Sequence, residues 1–164
     1  MTMPHDTIRD TGVDRDHDRD FYADGFLRGI LEETQVIAIV GASANPARPS
    51  FEVMRFLKDF GYNVIPVNPG HAGKEILGET VYATLAEIPI PIDMVDIFRA
   101  SDAVEPIVDQ AIAVNVRTIW MQLGVVNEAA AEKAEASGCK VVMNRCPKIE
   151  IPRLGIASKL ENEV

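Results

Sequence analysis

At 164 residues, 18.0 kDa and 47% hydrophobic residues, the chain has room for one domain with a real core and hardly for two. A formal net charge of -9 and a pI of about 4.8 argue against non-specific nucleic-acid binding, because the phosphate backbone repels such a surface on average. No apolar run approaches the roughly 20 residues needed to span a membrane, and two cysteines without a CxxC or a suitably spaced histidine do not compose a zinc site.

Met1 to Asp20 alternates charges and has almost nothing to bury, so it reads as a flexible acidic tail. His5 and His17 lie there among aspartates, where solvated side chains are a simpler reading than metal ligands. Phe21 to Glu33 repeats apolar residues at helical spacing (Phe21, Phe26, Leu27, Ile30, Leu31), with Tyr22 flanking that face. VIAIV (36–40) is a continuous apolar run, as expected of a parallel strand covered on both sides. Ser50 is placed to cap a helix over FEVMRFLKDF (51–60), and Gly61 to stop it. YNVIPV (62–67) is the second strand. His71 to Gly78 reads as irregular, and YATLAEIP (82–89) as a brief helix. DMVDIFR (93–99) is the third major strand. Asp102 with Glu105 forms a candidate capping box, although Pro106 then falls late in the first turn. VRTIWMQLG (116–124) is a strand, Asn127 opens an alanine-rich helix to Gly138, and CKVVMNRCP (139–147) is the last strand with its exit turn. Strands separated by about one helix each imply right-handed crossovers and an α/β, doubly wound, mainly parallel sheet. The domain is expected over residues 21–155, with a C-terminal tail over 156–164.

In open parallel sheets ligands bind beyond the carboxyl ends of strands, where strand order switches. Those ends here are GASANPARP, NPGHAGK, FRAS, MQLG and MNRCP. Gly41 permits a tight turn or close backbone approach, Ser43 and Asn45 offer hydrogen bonds, and a following helix start favours an anion. The plain alternative is that Gly41 and Gly70 only permit turns. The loop is not the dinucleotide fingerprint, since Ser43 stands where GxGxxG needs its second glycine. After the second strand, Asn68 and Pro69 stand where a protein binding the ribose of NAD usually presents a carboxylate. Arg48, His71, Lys74 and Arg99 add positive charge that suits extra phosphate better than a ribose diol.

These residues carry a resemblance. VGASANPARPSFEVMRFLKDFGYNVIPVNPGHAGKEILG, with YATLAEIP, DMVDIFR, TIWMQLGV and VVMNRCPKIEIPRL, resembles the small stand-alone CoA-binding domain proteins over roughly Gln35 to Gly155. That family is similar to the CoA-binding domain of the succinyl-CoA synthetase alpha subunit and of related acyl-CoA synthetases. The resemblance implies a Rossmann-like fold with coenzyme A laid across the carboxyl edge of the sheet. It implies that Gly41, Ala42, Ser43, Asn45, Arg48, Pro49 and Ser50 approach the pyrophosphate. Val67, Asn68, Pro69 and His71 then lie near adenosine and its phosphates. His71 replaces a lysine of the synthetase subunits, a loss for which Lys74 can compensate. Phe98, Arg99 and Ala100 resemble the segment bordering the adenine and the pantetheine arm. Gln122, Gly124 and the turn of Asn144, Arg145 and Cys146 are more distant candidates that shape the site.

The synthetase subunit continues into a domain bearing a phosphorylated histidine, which this sequence does not include. Cys146 invites a nucleophile or thiol-exchange role, but no partner base is identifiable. Asp93 and Asp96, three apart on a strand, point to different faces and do not form a carboxylate pair. The expected function is binding of coenzyme A or an acyl-CoA, non-catalytic or regulatory. Alternatives are an NAD(P)-dependent oxidoreductase and an interaction subunit of an acyl-CoA synthetase-like assembly. The ligand is a small-molecule nucleotide rather than nucleic acid or membrane. A homo-oligomer or a protein partner stays open. With no signal peptide or framework of bridges, a reducing cytoplasm is the simplest compartment.

Overall fold

The computed structural model describes residues 21–160; the acidic tail, with His5 and His17, and residues 161–164 lie outside the described residues. The apolar runs become strands because each can be covered on both faces. They are β1 (Val36–Val40), β2 (Asn63–Val67), β5 (Met94–Ile97), β6 (Thr118–Met121) and β7 (Lys140–Val142). All pair in parallel, in the order β2-β1-β5-β6-β7. A two-stranded hairpin, β3 (Glu75–Ile76) with β4 (Glu79–Thr80), turns through Leu77 and Gly78, both at positive φ.

Alternation along the strands divides the core in two. Residues such as Ala38, Val40, Val95, Ile97, Ile119 and Val141 face α3 (Val104–Ala113) and α4 (Glu128–Ala136). Ile37, Ile39, Met94, Trp120 and Val142 face α1 (Asp24–Glu33), α2 (Pro49–Phe60) and α5 (Pro147–Leu154). The doubly wound parallel α/β fold expected from the sequence is present.

Several local expectations change. The first helix starts at Asp24, leaving Phe21 exposed, while Tyr22 is buried and its hydroxyl oxygen accepts the Met143 N–H at 2.7 Å. Ser50 does not cap α2: Pro49, whose ring presets helical φ, is the first helical residue. Gly61 does end α2, at φ 108°. Asp102 and Glu105 form no capping box, since Ser101–Ala103 is a 3₁₀ turn and α3 begins at Val104. Pro106 thereby falls at the third helical position, whose N–H has no intrahelical acceptor in any case. Asn127, expected to open the alanine-rich helix, is its cap: α4 begins at Glu128, and the Asn127 side chain accepts from the Ala130 N–H. The stretch 71–78 contains half of a hairpin, and 82–89 yields only the 3₁₀ turn Leu85–Glu87. The exit turn of the last strand leads into α5. Beyond Gly155, Ile156 and Lys159 are buried, with Lys159 Nζ donating to the Glu32 carbonyl at 2.6 Å, so the chain packs on the domain through that stretch.

The outer edge of β2 is closed by Tyr82. Its N–H donates to the Pro66 carbonyl at 3.1 Å, and its carbonyl accepts from the Asn68 N–H at 2.9 Å.

Candidate functional site

From β1 the chain crosses to β2 on one side and then returns to β5 on the other. The carboxyl ends of β1 and β5 therefore diverge, and the helix and loop that follow them leave a crevice between. Gly41 sits at that point with φ 88°, its N–H donating to the Val67 carbonyl at 3.0 Å. A β-carbon at Gly41 would lie 2.4 Å from the Phe98 carbonyl oxygen and 2.9 Å from Arg99 Cδ. The position needs glycine both for its backbone angle and for the closeness of β5.

The crevice has two compartments. The first, about 430 Å³, is lined by Val40, Gly41, Ala42, Ser43, Arg48, Asn68, Pro69, His71, Phe98 and Arg99. The second, about 260 Å³, is lined by Gly41, Arg48, Pro49, Ser50, Phe98, Arg99, Gln122, Leu123 and Val125. Gly41, Arg48, Phe98 and Arg99 thus form a common wall. Neither arginine has an ion-pair partner among the described residues, so both guanidinium groups are available to an anion. A cavity of about 460 Å³ opens at the opposite end of the sheet, lined by Glu33, Arg117 and Lys140 among others. It lies at the amino ends of the strands, and its lysine is paired with Glu33 at 3.3 Å, so it lacks the features of a built ligand site.

Hydrogen bonds set the shape of the first compartment. Ser43 Oγ accepts from the Asn45 N–H at 3.1 Å, and Asn45 Oδ1 accepts from the Ala47 N–H at 3.0 Å, so both side chains fold the loop on itself. Asn68 is a brace: Nδ2 donates to the Ala42 carbonyl at 2.8 Å, and Oδ1 accepts from the Gly70 N–H at 2.8 Å. That side chain holds the first two loops together where a dinucleotide site would present a carboxylate to ribose.

Of the residues singled out in the sequence, Asn45, Val67, Lys74, Ala100 and Gly124 do not line either compartment. Val67 is buried and supports the turn through its carbonyl; Lys74 is exposed. Gly124 has its N–H held by Asn144 Oδ1 at 2.7 Å and its carbonyl reached by Ser101 Oγ at 3.4 Å, which makes it scaffold. Sequence reasoning missed Val40, Leu123 and Val125, and it set Gln122 at a distance from the site. The signal for Leu123 and Val125 was their place in the turn directly after an apolar strand.

Three buried polar side chains share the sheet face toward α1, α2 and α5. Asp96 pairs in register with Trp120, and Thr118 and Gln122 flank Trp120 on the same side of β6 and its extension. Both Asp96 carboxylate oxygens, Thr118 Oγ1 and Gln122 Oε1 are buried without a hydrogen-bond partner. Burial holds the Asp96 carboxyl well above the usual carboxylate range, so it favours the neutral acid. Cys146, at the cap of α5, is buried, and it lines neither compartment. Arg145 next to it lies over the Tyr22 ring and accepts the Trp120 Nε1–H at its carbonyl, 2.8 Å away. The described residues contain no cluster of three or more His, Cys, Asp or Glu able to hold a metal ion. No helix among them is long and apolar enough to cross a membrane.

Comparison with known proteins gives the same picture from another direction. An uncharacterized protein of Bacillus subtilis (strain 168), YneT, is 36% identical over 123 residues, 75% of this chain and 90% of that one. The structure of a hypothetical protein from Pyrococcus horikoshii OT3 superposes with a TM-score of 0.79 at 38% identity, covering 82% of this chain and 94% of the other. Acetyl-coenzyme A synthetase 1 of Ca. Korarchaeum cryptofilum shares the fold, with a TM-score of 0.57 at 24% identity over 65% of this chain and 25% of that one. Residues 35–152, from just before β1 into α5, match the sequence profile described as the CoA binding domain, and the chain belongs to that family.

Proposed function

We propose that the crevice binds coenzyme A or an acyl-CoA, and that the protein acts by binding, in a regulatory or carrier capacity, rather than by turnover. The observation that carries this reading is the shared wall of the crevice: Arg48 and Arg99, unpaired among the described residues, stand over the glycine that lets β1 and β5 approach. The pyrophosphate lies along the turn from Gly41 to Ser50, where the start of α2 also favours negative charge. Adenosine and its 3′-phosphate lie toward Asn68, Pro69 and His71, and the pantetheine arm passes Phe98 into the second compartment.

Asn68 supports CoA over NAD, because its side chain is committed to bracing two loops and offers no carboxylate for a ribose diol. The absence of turnover rests on Cys146 and His71. The cysteine is buried away from the crevice lining, and the histidine lines the compartment at the other side of the arginine wall. Calorimetric titration tests the ligand: CoA binds more tightly than NAD, and NAD binding as tightly as CoA would sink the assignment. A steady-state assay for CoA release from short-chain acyl-CoA tests the second part. No release is expected, and release abolished by Cys146→Ser would make the protein an enzyme with a cysteine nucleophile.

A further inference from the structure

The second compartment poses its own question. Its walls away from the arginines are Phe98, Leu123 and Val125, with the hydroxyl-bearing Ser50 and the side-chain amide of Gln122. Gln122 is only 6% exposed, and its Oε1 has no hydrogen-bond partner. A buried carbonyl oxygen without a donor loses its hydration unrepaid, so this one is a liability to the empty protein. Its placement is nevertheless tightly fixed. The Gln122 N–H donates to the Ile97 carbonyl at 3.2 Å, and its own carbonyl accepts from the Val125 N–H at 2.8 Å. Asn144 then holds the next turn through the Gly124 N–H. The backbone is locked on both sides; the side chain lines a compartment with apolar walls, and its unanswered acceptor is buried beneath that lining, where rotation of the amide brings it within reach of a ligand.

A ligand segment that fits here is uncharged, largely apolar and carries an N–H donor. Resting on the proposed binding of CoA, we infer that Gln122 determines specificity for the pantetheine arm, its Oε1 accepting an amide N–H of that arm. The arm is a chain of methylenes carrying two secondary amides, which matches the compartment in both polarity and donor. The two compartments then divide the labour of recognition: arginines read the phosphates, and Gln122 reads the neutral arm.

The test compares CoA with adenosine 3′,5′-bisphosphate, which lacks the arm, by titration into the wild-type protein, Gln122→Met and Gln122→Asn. Methionine keeps the length and loses the strong acceptor; asparagine keeps the amide and withdraws it by one methylene. Both variants should weaken CoA about five- to tenfold, the worth of one hydrogen bond, and leave the bisphosphate within about twofold. The ligand-free Gln122→Met protein should melt at the same temperature as wild type or higher, because an orphaned oxygen has been removed. Equal weakening of both ligands, or a lower melting temperature of the ligand-free variant, marks a merely structural residue and overturns the inference. Unchanged CoA affinity overturns it too, while CoA binding by the wild type leaves the broader reading standing. A wild-type protein that binds neither ligand overturns both.

Discussion

The two faces of the sheet are built to different standards. Toward α3 and α4, the strands offer an unbroken apolar surface in which Ala38, Val95, Ile97, Ile119 and Met121 are fully buried. Toward α1, α2 and α5, the same strands carry Asp96, Thr118 and Gln122 among Ile39, Trp120 and Val142, with polar atoms left unanswered. The second face is the one whose strand ends, through Phe98 and Gln122, run into the crevice. One face need only hold the sheet together. In the proposed reading the other also delivers polar groups to a ligand, and it tolerates unfavourable burial, in Gln122 at the crevice itself.

The sharpest way to break this contrast is to put a carboxylate on the apolar face. Val95→Asp moves an acid one residue along β5, into the α3 and α4 side. An uncompensated buried charge costs about 3–5 kcal/mol, a large part of a typical total of about 5–15 kcal/mol. Thermal unfolding followed by circular dichroism should show a fall of about 10 °C or loss of a cooperative transition. A shift no larger than a surface substitution gives would show that the two faces are equally tolerant.

Gly41→Ala strikes where the polar face meets the crevice. The left-handed backbone costs an alanine about 1–2 kcal/mol, and the new carbon lies 2.4 Å from the Phe98 carbonyl, so β1 and β5 must part. Titration should show CoA affinity falling at least about tenfold, with a smaller loss of thermal stability than Val95→Asp causes.

Asp96→Asn should act in the opposite direction. Because burial raises the folded-state pKa, stability is full below the ordinary carboxylate value of about 4. It declines as pH rises above that value, where the unfolded chain ionises and the folded one does not, until the folded-state pKa is passed. Asparagine removes that dependence. At pH 7 the variant should melt above wild type, and the difference should narrow as pH falls toward 4. A wild-type protein whose stability rises from pH 4 to 7 relative to the variant would show that Asp96 is ionised and answered.

The smallest effect expected is at Lys74. Its side chain is exposed and lines neither compartment, so Lys74→Ala should change CoA affinity by no more than about twofold, as exposed charges in water are worth little. Arg99→Ala, from the shared wall, should cost about tenfold or more. Equal losses would mean that phosphate recognition extends along the hairpin loop beyond His71.

The contrast between the faces also explains what was legible in the sequence. The strand runs could be read because a parallel strand covered on both sides is apolar at every position, and VIAIV and TIWM show that directly. Gly41, Arg48 and Arg99 could be placed because strand ends are marked by a change to small and basic residues. Asp96 was noticed only as half of a carboxylate pair that does not form. One acid in MVDI does not reveal which face it takes or whether anything answers it. Helix α5 was hidden by Pro147 and Pro152, which suggest a turn; the first occupies the tolerated initial position and the second is carried within the helix. Gln122 was placed only among the more distant candidates, because the tight return to Val125 that follows it is a tertiary fact rather than a sequence pattern.

The strap across β2 bears on how copies of this protein can meet. A strand at the border of a sheet normally exposes a row of donors and acceptors that invites another chain to add on. Here Tyr82 occupies the acceptor of Pro66 and the donor of Asn68, and Pro66 itself has no N–H to offer. That border cannot template a continuous ladder, so the sheet is protected there against edge-to-edge aggregation. Any self-association on this side has to be built from side chains.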